Sequence, residues 1–270
     1  MKKKTELNKK LLSNIGVTQG RLVPSEKKNR IQYFPIKNWK KEIGLMSKCN
    51  IHKLEWTVNF EKIKQNALFN TRQLNEIINI KKKFDIEIPS VTCDFFMEKP
   101  IFKNNNDTTL DILKKIIKNG KKIGIKYFIL PLVDNSSIKN KKHEKIIIKK
   151  LNKFKDYLNY NQKILFEIDY VPKQVKRFIS NFGNKFGINY DSGNSASKGF
   201  LIDEEKIYFD RVYNIHIKDR RYNGHTISLG QGNCDFRSLF LLLKKIKYKR
   251  NLILQTARSQ NNHVKEIIKN

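Results

Sequence analysis

Short apolar runs of four to eight residues recur along the chain, separated by longer stretches with helical spacing. The runs are 15–19 (IGVTQ), 53–57 (KLEWT), 87–92 (EIPSVT), 126–133 (KYFILPLV), 163–169 (KILFEID), 186–191 (FGINYD), 212–218 (VYNIHIK) and 251–256 (NLILQT). Each is rich in Ile, Val, Tyr or Phe and predicts a β-strand. Between them, 39–48, 71–84, 110–119, 143–158 and 235–247 predict helices. In 143–158 the apolar residues Ile146, Ile147, Leu151, Phe154 and Leu158 fall on one stripe, with Lys on the other face. Asp235 is placed to cap the apolar helix it introduces. Residues 195–205 read partly as loop.

Eight strands, each followed by a helical stretch and with no hairpin-type turns between them, imply parallel βαβ units. That predicts an α/β fold: a (β/α)8 TIM barrel, eight parallel strands with outer helices, in one domain spanning 1–270. An open doubly wound sheet is the alternative. It would need a Gly-rich first turn, and Gly16 and Gly20 do not form G-x-G-x-x-G. No linker, internal repeat or low-complexity tail interrupts the series.

Composition agrees with this picture. The 270 residues match a barrel of roughly 250, and 17 Phe with 10 Tyr supply a sizeable core. The charge invites a different reading: 56 Lys+Arg against 25 Asp+Glu give a formal +31, which suits nucleic acid. The kind of cation argues otherwise. There are 46 Lys and only ten Arg, scattered over the whole length, whereas base-reading proteins concentrate the Arg fork on one element. Uniform Lys, Ile and Asn enrichment looks like bias towards AT-rich codons. Cys49, Cys93 and Cys234 are widely spaced and form neither a disulfide framework nor a Cys-x-x-Cys site. The basic start, MKKKTELNKKLL, precedes no apolar run of signal-peptide length. The longest aliphatic stretch, 239–243 (LFLLL), is too short to span a membrane. A cytoplasmic, soluble protein without a membrane partner is expected.

In a barrel, chemistry gathers where strands end. Strand 1 ends at Gln19-Gly20-Arg21, strand 2 at Glu55, strand 3 near Cys93-Asp94, and strand 5 at Glu167 and Asp169. Strand 6 ends at Asp191 with Asn194 beyond, strand 7 at His216 with Lys218, Asp219 and Arg220, and strand 8 at Gln255 with Arg258. Strands 5 to 8 thus offer Glu, Asp, His and Gln at like depth, an oxygen-and-nitrogen set suited to Mn²⁺, Mg²⁺, Co²⁺ or Zn²⁺. One such residue alone reads as a solvated loop charge; agreement across neighbouring strands favours a polar or metal site. Glu55 could instead be a strand-end charge satisfied by a Lys.

Residues 215–236 (IHIKDRRYNGHTISLGQGNCDF) form a second constellation. Gly230-Gln231-Gly232 precedes Asp235-Phe236 at a helix start, where backbone N–H groups can approach an anion such as phosphate. Lys218, Arg220 and Arg221 add cationic partners. A loop using Gly for positive φ, with an Asp cap, explains the same residues without a ligand.

With those residues in view, the sequence resembles the sugar phosphate isomerase/epimerase family, with its xylose-isomerase-like TIM barrel. The resemblance covers nearly the whole chain and is carried by GVTQGRLVPS, IQYFPIKNW, LFEID, NYDSGN, NIHIKDR, SLGQGNCDF and LILQTAR in family order. It implies a divalent metal at the barrel mouth, bound by Glu167, Asp191, His216 and the strand-8 position, where the family's Glu is replaced by Gln255. In the family the two Glu residues also act as acid and base. Gln255 can ligate through its amide oxygen but cannot take a proton. Epimerisation by two opposed bases is therefore put in doubt. An aldose–ketose isomerisation needs one base, Glu167, moving a proton between adjacent carbons on one face of an enediolate.

The expected activity is a metal-dependent isomerase or epimerase acting on a sugar or sugar phosphate. Arg21, Glu55, Asp94, Asn194, Lys218, Arg220, Gly230, Gly232 and Arg258 are its candidate substrate contacts. A homo-oligomer stays among the expectations. Two alternatives stand beside it: a metal-dependent endonuclease acting at abasic DNA sites, and a non-catalytic sugar-binding relative. The nuclease of this superfamily uses a His-rich three-metal cluster. Here there are five His, and His216 alone has a convincing strand-end position. His52, His143 and His263 fall at loops or helix termini, and His225 in the 220–228 loop.

Overall fold

A computed structural model of the chain describes residues 13–26, 32–103, 107–258, 264, 265 and 267. The basic start, Ile31 of the IQYFPIKNW stretch, and His263 lie outside the described residues. Eight parallel strands close a barrel: β1 (Ile15–Thr18), β2 (Lys53–Thr57), β3 (Glu87–Thr92), β4 (Tyr127–Leu132), β5 (Lys163–Ile168), β6 (Phe186–Asp191), β7 (Val212–Ile217) and β8 (Asn251–Leu254). Neighbours in space are neighbours in sequence, and β8 returns to pair with β1. All eight apolar runs become strands, a closed α/β barrel of the TIM type.

The helices form where the apolar stripe meets good caps. Asn70 accepts from the Gln73 amide at the start of helix Thr71–Phe84, and Asp85, at φ 52°, ends it. Pro172 occupies the first turn of helix Pro172–Ile179, where its missing N–H costs nothing. Helix Thr108–Ile123 runs past the expected 119 until Gly124, at φ 88°, stops it. The 143–158 stretch is helix Lys141–Asn152 followed by a tighter 3₁₀ segment, Lys153–Tyr157. Residues 195–205 are more regular than expected. Asp191 caps helix Ser192–Lys198, Gly199 at φ 70° breaks it, and Ile202–Glu205 resumes.

Apolar side chains on the outer face of the strands meet the helices. Trp56, Phe128, Phe166, Phe178 and Phe186 are fully enclosed, and Phe166 packs against Phe178, Phe182 and Phe186. Each such side chain contributes about 1.5–3 kcal/mol. The inner face is different. Period-two alternation turns Glu55, Ser90, Asn189, Asn214 and His216 inward, all buried. After β7 a two-stranded antiparallel ribbon, Asp219–Arg220 with Thr226–Ile227, crosses the barrel mouth. Among the described residues, no helix is long and apolar enough to cross a membrane.

Candidate functional site

Three strand ends bring Glu167, Asp191 and His216 together. Asp191 and His216 are register partners on β6 and β7, and the ligand atoms of all three lie within 4.8 Å of one another. His216 Nδ1 lies 3.2 Å from Glu167 Oε2 and 3.8 Å from Asp191 Oδ2. The other ring nitrogen, Nε2, donates to Glu55 Oε1 at 2.7 Å. A carboxylate only accepts, so Nε2 carries a proton and Nδ1 is the ring nitrogen left facing the acid pair.

This geometry corrects the expectation for Glu55. It is fully enclosed against His216, outside the cleft lining, and holds no surface for substrate. Its second oxygen accepts from Ser90 Oγ at 2.9 Å and Asn214 Nδ2 at 3.1 Å. The Lys-satisfied alternative also fails: its partners are His, Ser and Asn. Asn214 donates to Glu55 Oε2 and to Asn189 Oδ1, and Asn189 Nδ2 reaches Glu167 Oε2 at 2.9 Å. Sequence reading missed Ser90, Asn189 and Asn214. A signal existed: Asn189 and Asn214 stand two residues before Asp191 and His216, on the same inward face.

Gln255, just past β8, lines the same cleft as Glu167. Its Nε2 donates to Gln32 Oε1 at 2.7 Å, while its buried Oε1 has no hydrogen-bond donor among the described residues. An orphaned amide oxygen in a cleft shared with Glu167, together with the clustered carboxylates and imidazole, is donor chemistry that suits a divalent ion. The residues present therefore fit a metal, with Glu167, Asp191 and His216 as the candidates to hold it and Gln255 Oε1 as a neutral fourth.

The charges around this group are strongly coupled. Burial would raise Asp191, but Lys218, whose Nζ is 3.2 Å from Oδ2, and His216 outweigh it and hold the carboxyl well below the usual range. Burial alone would lower the His216 imidazole; Glu55 and the hydrogen-bonded carboxylates outweigh it and raise the ring well above its ordinary value. Asp94, buried and facing Glu167 and Glu55, is pushed up to about 7.

A cleft of about 530 Å³ adjoins the centre at Glu167. Of the expected contacts, Arg21, Asp94, Asn194, Lys218, Arg220 and Gln255 line it, together with Glu167, Gln32, Asn59, Glu98, Asp134 and His225. Arg21 is held by its Nε on the Thr256 carbonyl, and burial followed by Arg258 lowers it to about 9. Glu42, not anticipated, accepts from the Gly20 and Leu22 amides and so fixes the loop that carries Arg21. Arg258 stands behind this loop, outside the cleft lining, and donates to the Val23 carbonyl at 3.2 Å. Asp169 turns away to accept from Ser137 Oγ at 2.6 Å.

The Gly230–Gly232 loop also departs from expectation. Its amides do not present an anion cradle to the cleft. Gly230 N and Gly232 N both donate to Asp219 Oδ2 at 2.9 Å, and Cys234 N donates to Oδ1 at 3.1 Å. The anion they bind is the chain's own buried carboxylate. Gly230 has φ 80°, as the loop reading required. Among the described histidines only His216 joins a candidate ligand group. His52 bonds Asp85 and Asn50, and His143 stacks on Phe102.

Residues 54–269 match the family model of the xylose isomerase-like TIM barrel, and the chain belongs to that family. Among solved structures, it is similar to a xylose isomerase domain protein from Planctomyces limnophilus, at TM-score 0.72 and 13% identity over 95% of this chain and 93% of that one. The IOLI protein, solved with a bound zinc atom, gives TM-score 0.72 and 17% identity over 94% of each. The 3-keto-D-glucoside 4-epimerase YcjR from E. coli gives 0.71 and 12%, over 95% and 96%. Likeness at such identities carries the fold. No curated protein matches the sequence.

Proposed function

We propose that this chain is a metal-dependent isomerase or epimerase of a sugar or sugar phosphate, with Glu167 as the base. The observation that carries this reading is the clustering of the Glu167, Asp191 and His216 ligand atoms, with Glu167 and the Gln255 side chain lining one polar cleft. Zinc in IOLI and epimerisation by YcjR, proteins of the same fold, support it.

Glu167, Asp191 and His216 would hold a divalent ion, whose chemistry is to polarise a substrate carbonyl and stabilise the oxyanion that follows. Glu55 keeps His216 in the tautomer that offers Nδ1. Asn194 Nδ2 and Asn189 Nδ2 take one oxygen each of Glu167, which orients the carboxylate for proton transfer. Asp94, close to neutral-pH titration, is a second acid facing the same cleft. Lys218 and Arg21 supply positive charge for hydroxyl or anionic groups of the substrate. Gln255 accepts no proton, so a single base on one face of an enediolate, an aldose–ketose exchange, is the favoured chemistry.

The test is turnover of a panel of ketoses, aldoses and their phosphates in D₂O with Mn²⁺, followed by NMR. Exchange at one carbon-bound position, lost in Glu167→Gln, is expected. Sugar binding without any exchange would mark a non-catalytic relative. Metal-dependent nicking of abasic DNA, with no sugar exchange, would replace this reading with the nuclease one.

A further inference from the structure

The position of Arg220, one strand end from His216, suggests a substrate contact. Its guanidinium is instead engaged by the chain itself. Nε and Nη2 donate to the Gly224 carbonyl at 3.0 and 2.8 Å, and Nη1 donates to Asn194 Oδ1 at 2.9 Å. An arginine has no acceptor, so it can only hold the oxygen end of that amide. The nitrogen end is thereby aimed at the opposite partner: Asn194 Nδ2 donates to Glu167 Oε1 at 2.8 Å.

The other Glu167 oxygen has a separate set of neighbours. Oε2 accepts from Asn189 Nδ2 and faces His216 Nδ1. The two carboxylate oxygens are divided, one towards the ligand group and one towards the ribbon. Both ends of the ribbon path are fixed without any help from the cleft. Asp191 Oδ1 accepts from the Asn194 amide at 2.8 Å. Asp219, the residue before Arg220, is tied to three amides of the following loop.

We propose that Arg220 and Asn194 are a positioning relay: Arg220 sets the orientation of the Asn194 amide, and Asn194 fixes Glu167. The proposal rests on the reading of Glu167 as ligand and base, and adds that the ribbon over the mouth is mechanically linked to it. Arg220 then governs how Glu167 is presented, not how tightly a sugar phosphate is held. Loss of Arg220 frees the amide to rotate by half a turn, which would set its oxygen against a carboxylate oxygen and push Glu167 out of place.

Two measurements test this. The first needs neither metal nor substrate: ¹⁵N NMR of side-chain amides, with the Asn194 pair identified by its absence in Asn194→Ala. In Arg220→Met and Arg220→Lys the pair is expected to shift and to exchange faster with water, because Lys lacks the fork that reaches Gly224 and Asn194 together. Unchanged Asn194 signals in both variants, with the fold intact by circular dichroism, would overturn the relay. The second is Mn²⁺ titration of wild type, Arg220→Met, Asn194→Ala and the double variant. Each single change is expected to weaken Mn²⁺ by about tenfold, with the double no weaker than the worse single. Unaltered affinity in the single variants, or fully additive losses, would overturn the link to Glu167. If wild type itself takes no Mn²⁺, the metal reading fails and the amide spectra alone decide the relay.

Discussion

Glu55 Oε1 and His216 Nε2 meet at 2.7 Å, and both side chains are completely enclosed inside the barrel. Such a pair serves the face of the imidazole that points away from it. Replacing Glu55 by Gln keeps the shape but removes the charge that holds the tautomer. Mn²⁺ affinity, read by calorimetry, is expected to fall by about 10–100-fold. Glu55→Ala should also destabilise the fold by about 3 kcal/mol in urea, because His216 Nε2, Ser90 and Asn214 lose their acceptor. A Glu55→Gln protein with wild-type affinity would mean that the ring needs no partner.

Gln255→Glu tests the strand-8 position. A carboxylate replaces the amide whose Oε1 has no donor among the described residues, and Gln32 can reverse its amide to keep a hydrogen bond. Affinity for Mn²⁺ is expected to rise by about tenfold or more, since an added negative ligand strengthens hard-cation binding. No change in the titration would place Gln255 outside the ligand group.

The pH dependence of stability is expected to bear the mark of Glu42. Burial pushes this carboxyl up to about 7, against the opposing pull of the Gly20 and Leu22 amides, Arg258 and Arg21, while its ordinary value is 4.5. The folded chain therefore keeps a proton that the unfolded chain releases. The resulting stabilisation is complete below about pH 4.5 and is lost as pH rises through about 7, on the order of 3 kcal/mol. The urea midpoint of wild type should fall relative to Glu42→Gln between pH 5 and pH 8. A constant difference over that range would show Glu42 ionised throughout.

At Gly232 an added Cβ would lie 2.1 Å from Asp219 Oδ1 and 2.7 Å from the Arg220 carbonyl. Gly232→Ala must break the bonds that Asp219 accepts from the loop. A loss of roughly 2 kcal/mol in thermal or urea unfolding is expected, with the Asn194 amide signals displaced because Arg220 moves with Asp219. Gly230→Ala, where an added Cβ meets no atom of the described residues within 4 Å but φ is 80°, should cost about 1 kcal/mol from backbone strain alone.

Much of the barrel was legible because each strand is a local pattern. The runs at 53–57, 87–92 and 186–191 begin and end where β2, β3 and β6 do, since outer apolar positions and flanking turns bound them. Glu167, Asp191 and His216 were legible for the same reason, as polar residues at strand ends. Glu55 looked identical to them in sequence but is fully enclosed, its oxygens taken by His216, Ser90 and Asn214. The Gly230–Gly232 loop looked like an anion site because nothing local reveals that Asp219, eleven residues before Gly230, fills it.

The sequence by itself determined the eight strand–helix units and the residue types carried at each strand end, because both depend on period and composition alone. Tertiary structure decided what those residues do. Barrel closure brings Glu55 against His216 across 161 positions of chain and sets Gln255 beside Gln32 across 223. Hydrogen bonds are made between atoms within about 3 Å, and only closure decides which distant atoms come that close.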